Sequence, residues 1–288
     1  MLIRVTCTHH TTLNMNLKAI CTDIDGTLLN KDRQLSERTI QTFRSLERDV
    51  PVILASSRMP SAMRHLQQEL DILHNPLICF NGGYILYFED GKTAPLQLSS
   101  TQIPATTSTE IYKLTQGTNI HVSLYEQDNW YAPQMDYWAE REQNNTKVIP
   151  TILAIDAVLD KWHSTESGAH KIMCMGPADE IETLYQELIN NYAEQVHAYR
   201  SKDTYIEIAP RSISKASALE ALLGSKYGIS LQEVMAFGDN YNDIDMLKAV
   251  GLGIAVGNAR EEVKAVADNI TLDSIDDGVA VAIEKYWS

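Results

Sequence analysis

The sequence predicts an α/β protein with a doubly wound, mostly parallel core sheet interrupted by an inserted α+β module. Three observations carry this. Strand and helix patterns alternate from Ala19 to Phe80, the grammar of parallel strands joined by crossover helices. The grammar breaks off after Asn81-Gly82-Gly83. It resumes beyond residue 210 and runs toward the C-terminus. The expected division is 17–83 and 211–288 for the core, 84–210 for the insert, and 1–16 for a disordered tail.

Each element has a local reason. Ala19 to Thr22 is a short apolar run ending at Asp23, as expected of a buried parallel strand. Ser36 is a good helix N-cap, and Ile40, Phe43 and Leu46 follow on one stripe. Val50 to Ala55 is a second buried strand, and Ser61 onward, with Met63, Leu66 and Leu70, a second helix. Leu77 to Phe80 is the third strand. In the insert, Asp90-Gly91 is a hairpin signal, and Ile120 to Tyr125 and Trp130 to Ala132 bracket a turn at Asp128-Asn129. His170 to Met175 is a strand, and Pro177 opens a helix with Ile181, Leu184 and Leu188 on one face. Gln195 to Ser201 and Thr204 to Ala209 form a closing pair of strands. Leu219, Leu222, Leu223 and Tyr227 then form a helical stripe ended by Gly228. Val234 to Phe237 and Leu252 to Val256 are the last strong strands.

Composition narrows the function classes. Acids outnumber bases 38 to 24, a net charge of -14, which argues against a nucleic-acid partner. No apolar run approaches the roughly 20 residues a membrane helix needs, so no membrane partner is expected. Cys7, Cys21, Cys79 and Cys174 are scattered, which disfavours a zinc cluster or disulfide framework and fits a cytoplasmic location. The first sixteen residues lack the apolar core of a secretory signal. His9 and His10 read as part of a loose tail, and the natural start is expected at Met15.

Four segments carry chemistry. Asp23-Ile24-Asp25-Gly26-Thr27 follows the first strand, where doubly wound sheets bind ligands. One aspartate there can serve as nucleophile or metal ligand and the other as general acid, although an acidic turn has the same composition. Ser56 ends the second strand and offers a hydroxyl to a phosphate oxygen, or simply a cap. Lys215 opens a helix, where the dipole disfavours it unless an anion lies nearby, although taken alone the position reads first as a solvated surface lysine. Gly238-Asp239-Asn240-Tyr241-Asn242-Asp243 follows a strand with Asp239 placed as a magnesium ligand and Asn242 and Asp243 as supports. Asn81 ends the third strand, and Arg58 follows Ser56; both are candidates for the edge of the site. The histidines and the aromatic cluster Trp130, Tyr131, Tyr137 and Trp138 read first as packing.

In this order the segments resemble the phosphatases of the haloacid dehalogenase superfamily, with the Cof-type group most similar. The resemblance rests on DxDGT at Asp23 to Thr27, Ser56, Lys215, and the GD-x-x-ND loop from Gly238 to Asp243, and it extends from Leu17 to the C-terminus. It implies a Rossmann-like core with 84–210 as a cap. It implies attack on phosphorus by Asp23 and acid–base catalysis by Asp25. Magnesium would be held by Asp23, the Asp25 carbonyl and Asp239, with Asn242 and Asp243 in support. Ser56 and Lys215 would hold the phosphoryl group, and Ile24, Asn81 and Arg58 complete the candidate binding set. The expected partner is a small phosphorylated metabolite such as a sugar phosphate. One departure is Ser57, where the family often has glycine. Two alternatives stay open: a phosphotransferase resembling phosphomannomutases, and a phosphate-ligand-binding module without turnover.

Overall fold

The computed structural model describes residues 16–89, 91–92 and 94–287. The tail with His9, His10 and Met15, and Asp90 of the expected turn, lie outside them. In chain order the first strands are β1 (Ala19–Thr22), β2 (Val52–Ala55), β3 (Leu77–Cys79), β4 (Tyr84–Tyr87) and β5 (Leu96–Ser100). Next come β6 (Ile103–Pro104), β7 (His121–Glu126), β8 (Asn129–Ala132), β9 (Thr151–Ile152), β10 (Gly168–Ala169) and β11 (Lys171–Met175). The last are β12 (Val196–Lys202), β13 (Tyr205–Pro210), β14 (Val234–Gly238), β15 (Leu252–Ala255) and β16 (Asn269–Ile270).

The larger sheet has the order β16-β15-β14-β1-β2-β3-β4-β5. Pairing is parallel from β16 through β3 and antiparallel at β3–β4 and β4–β5. The central strands are apolar on both faces because helices cover both, and Ala19, Ile20, Cys21, Ile53, Leu54 and Ala236 are fully buried. Ser36 caps its helix as expected, accepting from the Thr39 N–H at 3.0 Å.

The expected insert boundary at residue 84 falls inside this larger sheet. β4 turns back antiparallel on β3 and buries Ile85 and Leu86, and β5 pairs with β4. Its apolar residues have the neighbouring strand to pack on, so the hairpin extends the core sheet rather than starting a new layer. The second sheet, β12-β13-β11-β7-β8-β9, begins only at His121.

Alternation gives that second sheet two distinct faces. Val122, Leu124, Ile172, Cys174, Ile206 and Ile208 pack with the helices Ile155–Thr165 and Ala178–Asn191. Tyr125, Met173, Met175 and Tyr205 join the cluster of the larger sheet instead. The second sheet thus presents its other face to the core.

His170 ties the two parts together, with no exposed surface. Its Nδ1 accepts from the Gln127 backbone N–H at 3.0 Å, so the proton sits on Nε2, 2.9 Å from Ser100 Oγ on β5. The ring is therefore neutral, and burial pushes its pKa down to about 4. The folded value lies below the unfolded one, so the unfolded chain takes the proton first. Stability is full above pH 6.5 and falls as pH drops toward 4, by about 3 kcal/mol. Denaturant melts of wild type and His170→Gln between pH 7 and 4 should show that slope in wild type and lose it in the variant.

Candidate active site

Three loops meet at the carboxyl edge of the larger sheet. Asp23 follows β1, Ser56 follows β2 and Asp239 follows β14, and these strands are immediate neighbours. β1 is also where the winding reverses, since the chain leaves it toward β2 and β3 and later returns on the other side at β14. Loops diverge at such a point and leave a crevice. The cavity there is about 710 Å³. It is lined from the core side by Asp23, Asp25, Ser56, Arg58, Asn81, Asp239 and Asn242.

Close approach of the loops needs glycine. Gly26 has φ +87°, and a Cβ there would lie 2.5 Å from Asp239 Oδ2. A Cβ at Gly238 would collide with the Asp243 side chain. Ser57 is not among the residues with positive φ, so serine meets no strain at the position where glycine was expected.

Lys215, at the start of the helix Lys215–Lys226, has no exposed surface. Its Nζ donates to Asp23 Oδ1 at 2.5 Å and to Asp243 Oδ1 at 2.7 Å. Burial alone would strip its proton, but Asp23 and Asp243 outweigh burial and hold its pKa above the usual lysine range. These two anions account for a lysine where the helix dipole disfavours one. Asp243 Oδ2 accepts the backbone N–H groups of Asp239 and Asn240 at 3.0 and 3.1 Å, so both its oxygens are engaged. Asp239 accepts from Thr27 Oγ1 at 3.0 Å. Burial, joined by Asp243 and Asp239, pushes the Asp23 carboxyl well above its usual range despite Lys215. Burial and Asp243 likewise push Asp239 up to about 6.

Asp25 has the opposite surroundings. Arg58 grips it with two bonds, Nε to Oδ2 at 2.7 Å and Nη2 to Oδ1 at 2.8 Å. Arg33 Nη1 adds a third at 2.9 Å. Burial pushes the carboxyl up, but the two guanidiniums win and hold it below the usual carboxylate range. Arg58, expected at the substrate's edge, is thus turned onto Asp25, with a further bond to the Ala62 carbonyl at 3.0 Å.

The other expected residues fall as follows. Ser56 Oγ accepts the Arg58 N–H at 3.3 Å, which leaves its hydroxyl proton available toward the cavity. Asn81 (φ 57°) accepts from Asn242 Nδ2 at 2.9 Å, joining the ends of two loops. The Ile24 side chain is buried in the core, which leaves only its backbone to meet a ligand. Lys171 is buried, its Nζ 4.2 Å from the centre of the Tyr125 ring. Trp130 and Tyr131 are packed as expected, whereas Tyr137 is exposed. Sequence reading missed Arg33, Glu142 and Glu207, which also line the cavity. The one signal for Glu142 is its place on the buried stripe of its helix, between Ala139 and Thr146.

The carboxylates of Asp23, Asp239 and Asp243 bring ligand atoms within 4.8 Å of one another. Among the described residues no helix is long and apolar enough to cross a membrane. Residues 20–283 match the family described as haloacid dehalogenase-like hydrolase. A Bacillus subtilis 5-amino-6-(5-phospho-D-ribitylamino)uracil phosphatase is 26% identical, over 93% of this chain and 97% of its own. An HMP-PP phosphatase of Shigella boydii is 29% identical, over 84% of this chain and 89% of its own. A solved haloacid dehalogenase-like hydrolase from Bacteroides thetaiotaomicron superposes with TM-score 0.81 at 29% identity, covering 93% of this chain and 99% of its own. With that match spanning nearly the whole of both sheets, this chain belongs to the haloacid dehalogenase-like hydrolases and is a phosphatase of that family.

Proposed function

We propose that the protein is a magnesium-dependent phosphatase of small phosphorylated metabolites that works through an aspartyl-phosphate on Asp23. The observation that carries this is the Asp23 carboxylate at the cavity floor, held by Lys215 and set within 4.8 Å of Asp239 and Asp243. Relatives named for phosphorylated small molecules support the substrate class.

The donor set fits a small hard dication. The raised proton affinities of Asp23 and Asp239 mark a shortage of positive charge that Lys215 alone leaves uncovered. Asp23, Asp239 and the Asp25 carbonyl would hold magnesium, while Asp243, both oxygens engaged, orients Lys215 and the Asp239 loop. Bound there, the ion supplies charge that offsets repulsion between carboxylate and phosphate. Ser56 Oγ and Lys215 Nζ hold the phosphoryl oxygens. The Asp23 carboxylate attacks phosphorus as the P–O bond to the leaving alcohol breaks. Asp25 gives that alcohol its proton and recovers one from the water that cleaves the aspartyl-phosphate. A phosphate entering beside Asp25 competes for Arg33 and Arg58. Each guanidinium it draws away raises the proton affinity of Asp25.

Phosphate release from a panel of phosphorylated sugars, nucleotides and cofactors should require magnesium and stop in chelator. A phosphoryl group retained on a sugar product would identify a phosphotransferase instead.

A further inference from the structure

The cap side of the cavity carries a feature that phosphate chemistry leaves unused. Glu142 lies on the buried stripe of the helix Tyr137–Thr146, is only 8% exposed, and still lines the cavity. A glutamate in such a place is costly unless its carboxylate finds donors. No ion pair reaches it among the described residues within 4.0 Å, although Lys171 and Arg33 act on it from further away. The neighbouring Tyr125 hydroxyl is buried without a well-formed hydrogen bond. Glu207, on the face of β13 shared with Tyr205, lines the same cavity and adds a second carboxylate. Burial, then Glu207 and Asp25, raise the proton affinity of Glu142 against the pull of Lys171. Asp25 among these charges puts Glu142 within reach of the catalytic end of the cavity.

We propose that Glu142 and Glu207 are specificity-determining residues, a carboxylate wall that selects leaving groups presenting hydrogen-bond donors, hydroxyl or amine, to the cap side of the cavity. This rests on the reading that the phosphoryl group binds at Asp23. A donor arriving with the substrate gives Glu142 the well-formed bond that the Tyr125 hydroxyl does not make. A second anionic group on the leaving side meets two carboxylates and is disfavoured. A hydrogen bond to a charged group contributes about 1.5–3 kcal/mol, so loss of one should cost about 10- to 100-fold in kcat/KM.

The test compares glucose 6-phosphate and glucosamine 6-phosphate with p-nitrophenyl phosphate, which has no donor on its leaving group, in wild type, Glu142→Gln and Glu207→Gln. The ratio of kcat/KM for sugar over aryl phosphate should fall at least tenfold in Glu142→Gln. A fall for both sugars assigns hydroxyl recognition, and a fall for glucosamine 6-phosphate alone assigns the amine. The Glu142→Gln melting temperature should not drop, because an unpaired buried charge is removed. Ratios unchanged within about twofold in both variants would overturn the proposal. Wild type inactive on all three esters would instead defeat the phosphatase reading. Calorimetry then still decides this one: glucosamine 6-phosphate must bind wild type more tightly than inorganic phosphate and lose that advantage in Glu142→Gln.

Discussion

Asp23→Asn is expected to reduce phosphate release by at least about 10⁴-fold, because it removes the nucleophile and leaves only binding and charge stabilisation. The amide keeps the size and shape of the carboxylate, so the cavity stays filled. Lys215 keeps its bond to Asp243 at 2.7 Å. The variant also takes one anion from a cluster of three carboxylates in which Asp23 and Asp239 already have raised proton affinity. Its melting temperature in chelator should therefore equal or exceed that of wild type. Phosphate-release assays and thermal melts on the same preparations check both halves. Retained turnover in a folded variant would remove Asp23 from the mechanism.

Lys215→Met should have the largest effect on stability. The ammonium is fully buried and bonded to two buried carboxylates. Without it Asp23 and Asp243 face each other and Asp239 with no counter-charge. Breaking a buried pair by deleting one partner costs about 3–5 kcal/mol, since the remaining charge stays desolvated. Methionine fills most of the volume, so the loss reports charge rather than a cavity. Magnesium should recover part of the stability by binding the folded state, yet turnover should stay low because the cation that holds the phosphoryl oxygens is gone. Urea melts with and without magnesium measure this. A loss below about 1 kcal/mol would mean that the trio does not depend on Lys215.

The core of this arrangement was readable from sequence for a physical reason. Asp23, Ser56 and Asp239 each end an apolar strand, and the parallel grammar puts such ends side by side. Lys215 was readable as an anomaly, a cation where a helix start disfavours one. What sits opposite each group was not readable. Arg58 gave no hint that it turns onto Asp25, because that pair spans two loops whose approach depends on the strand order. Glu142 and Glu207 belong to a helix and a strand far apart in sequence, and each is a single charge in an otherwise ordinary pattern. The hairpin at 84–100 was misjudged for a similar reason. Its first strand is an apolar run that suits either sheet, and only tertiary pairing with β3 decides which one it joins.

The central claim is a covalent bond between phosphorus and the Asp23 carboxylate. Protein mixed with magnesium and a turned-over phosphate ester, quenched within milliseconds and reduced with borohydride, converts an aspartyl-phosphate to homoserine. Peptide mass spectrometry then reads the residue modified. Homoserine at position 23, absent without substrate and absent from Asp23→Asn, is the predicted result. An unmodified Asp23 under conditions of rapid turnover, or homoserine at a different aspartate, would contradict it.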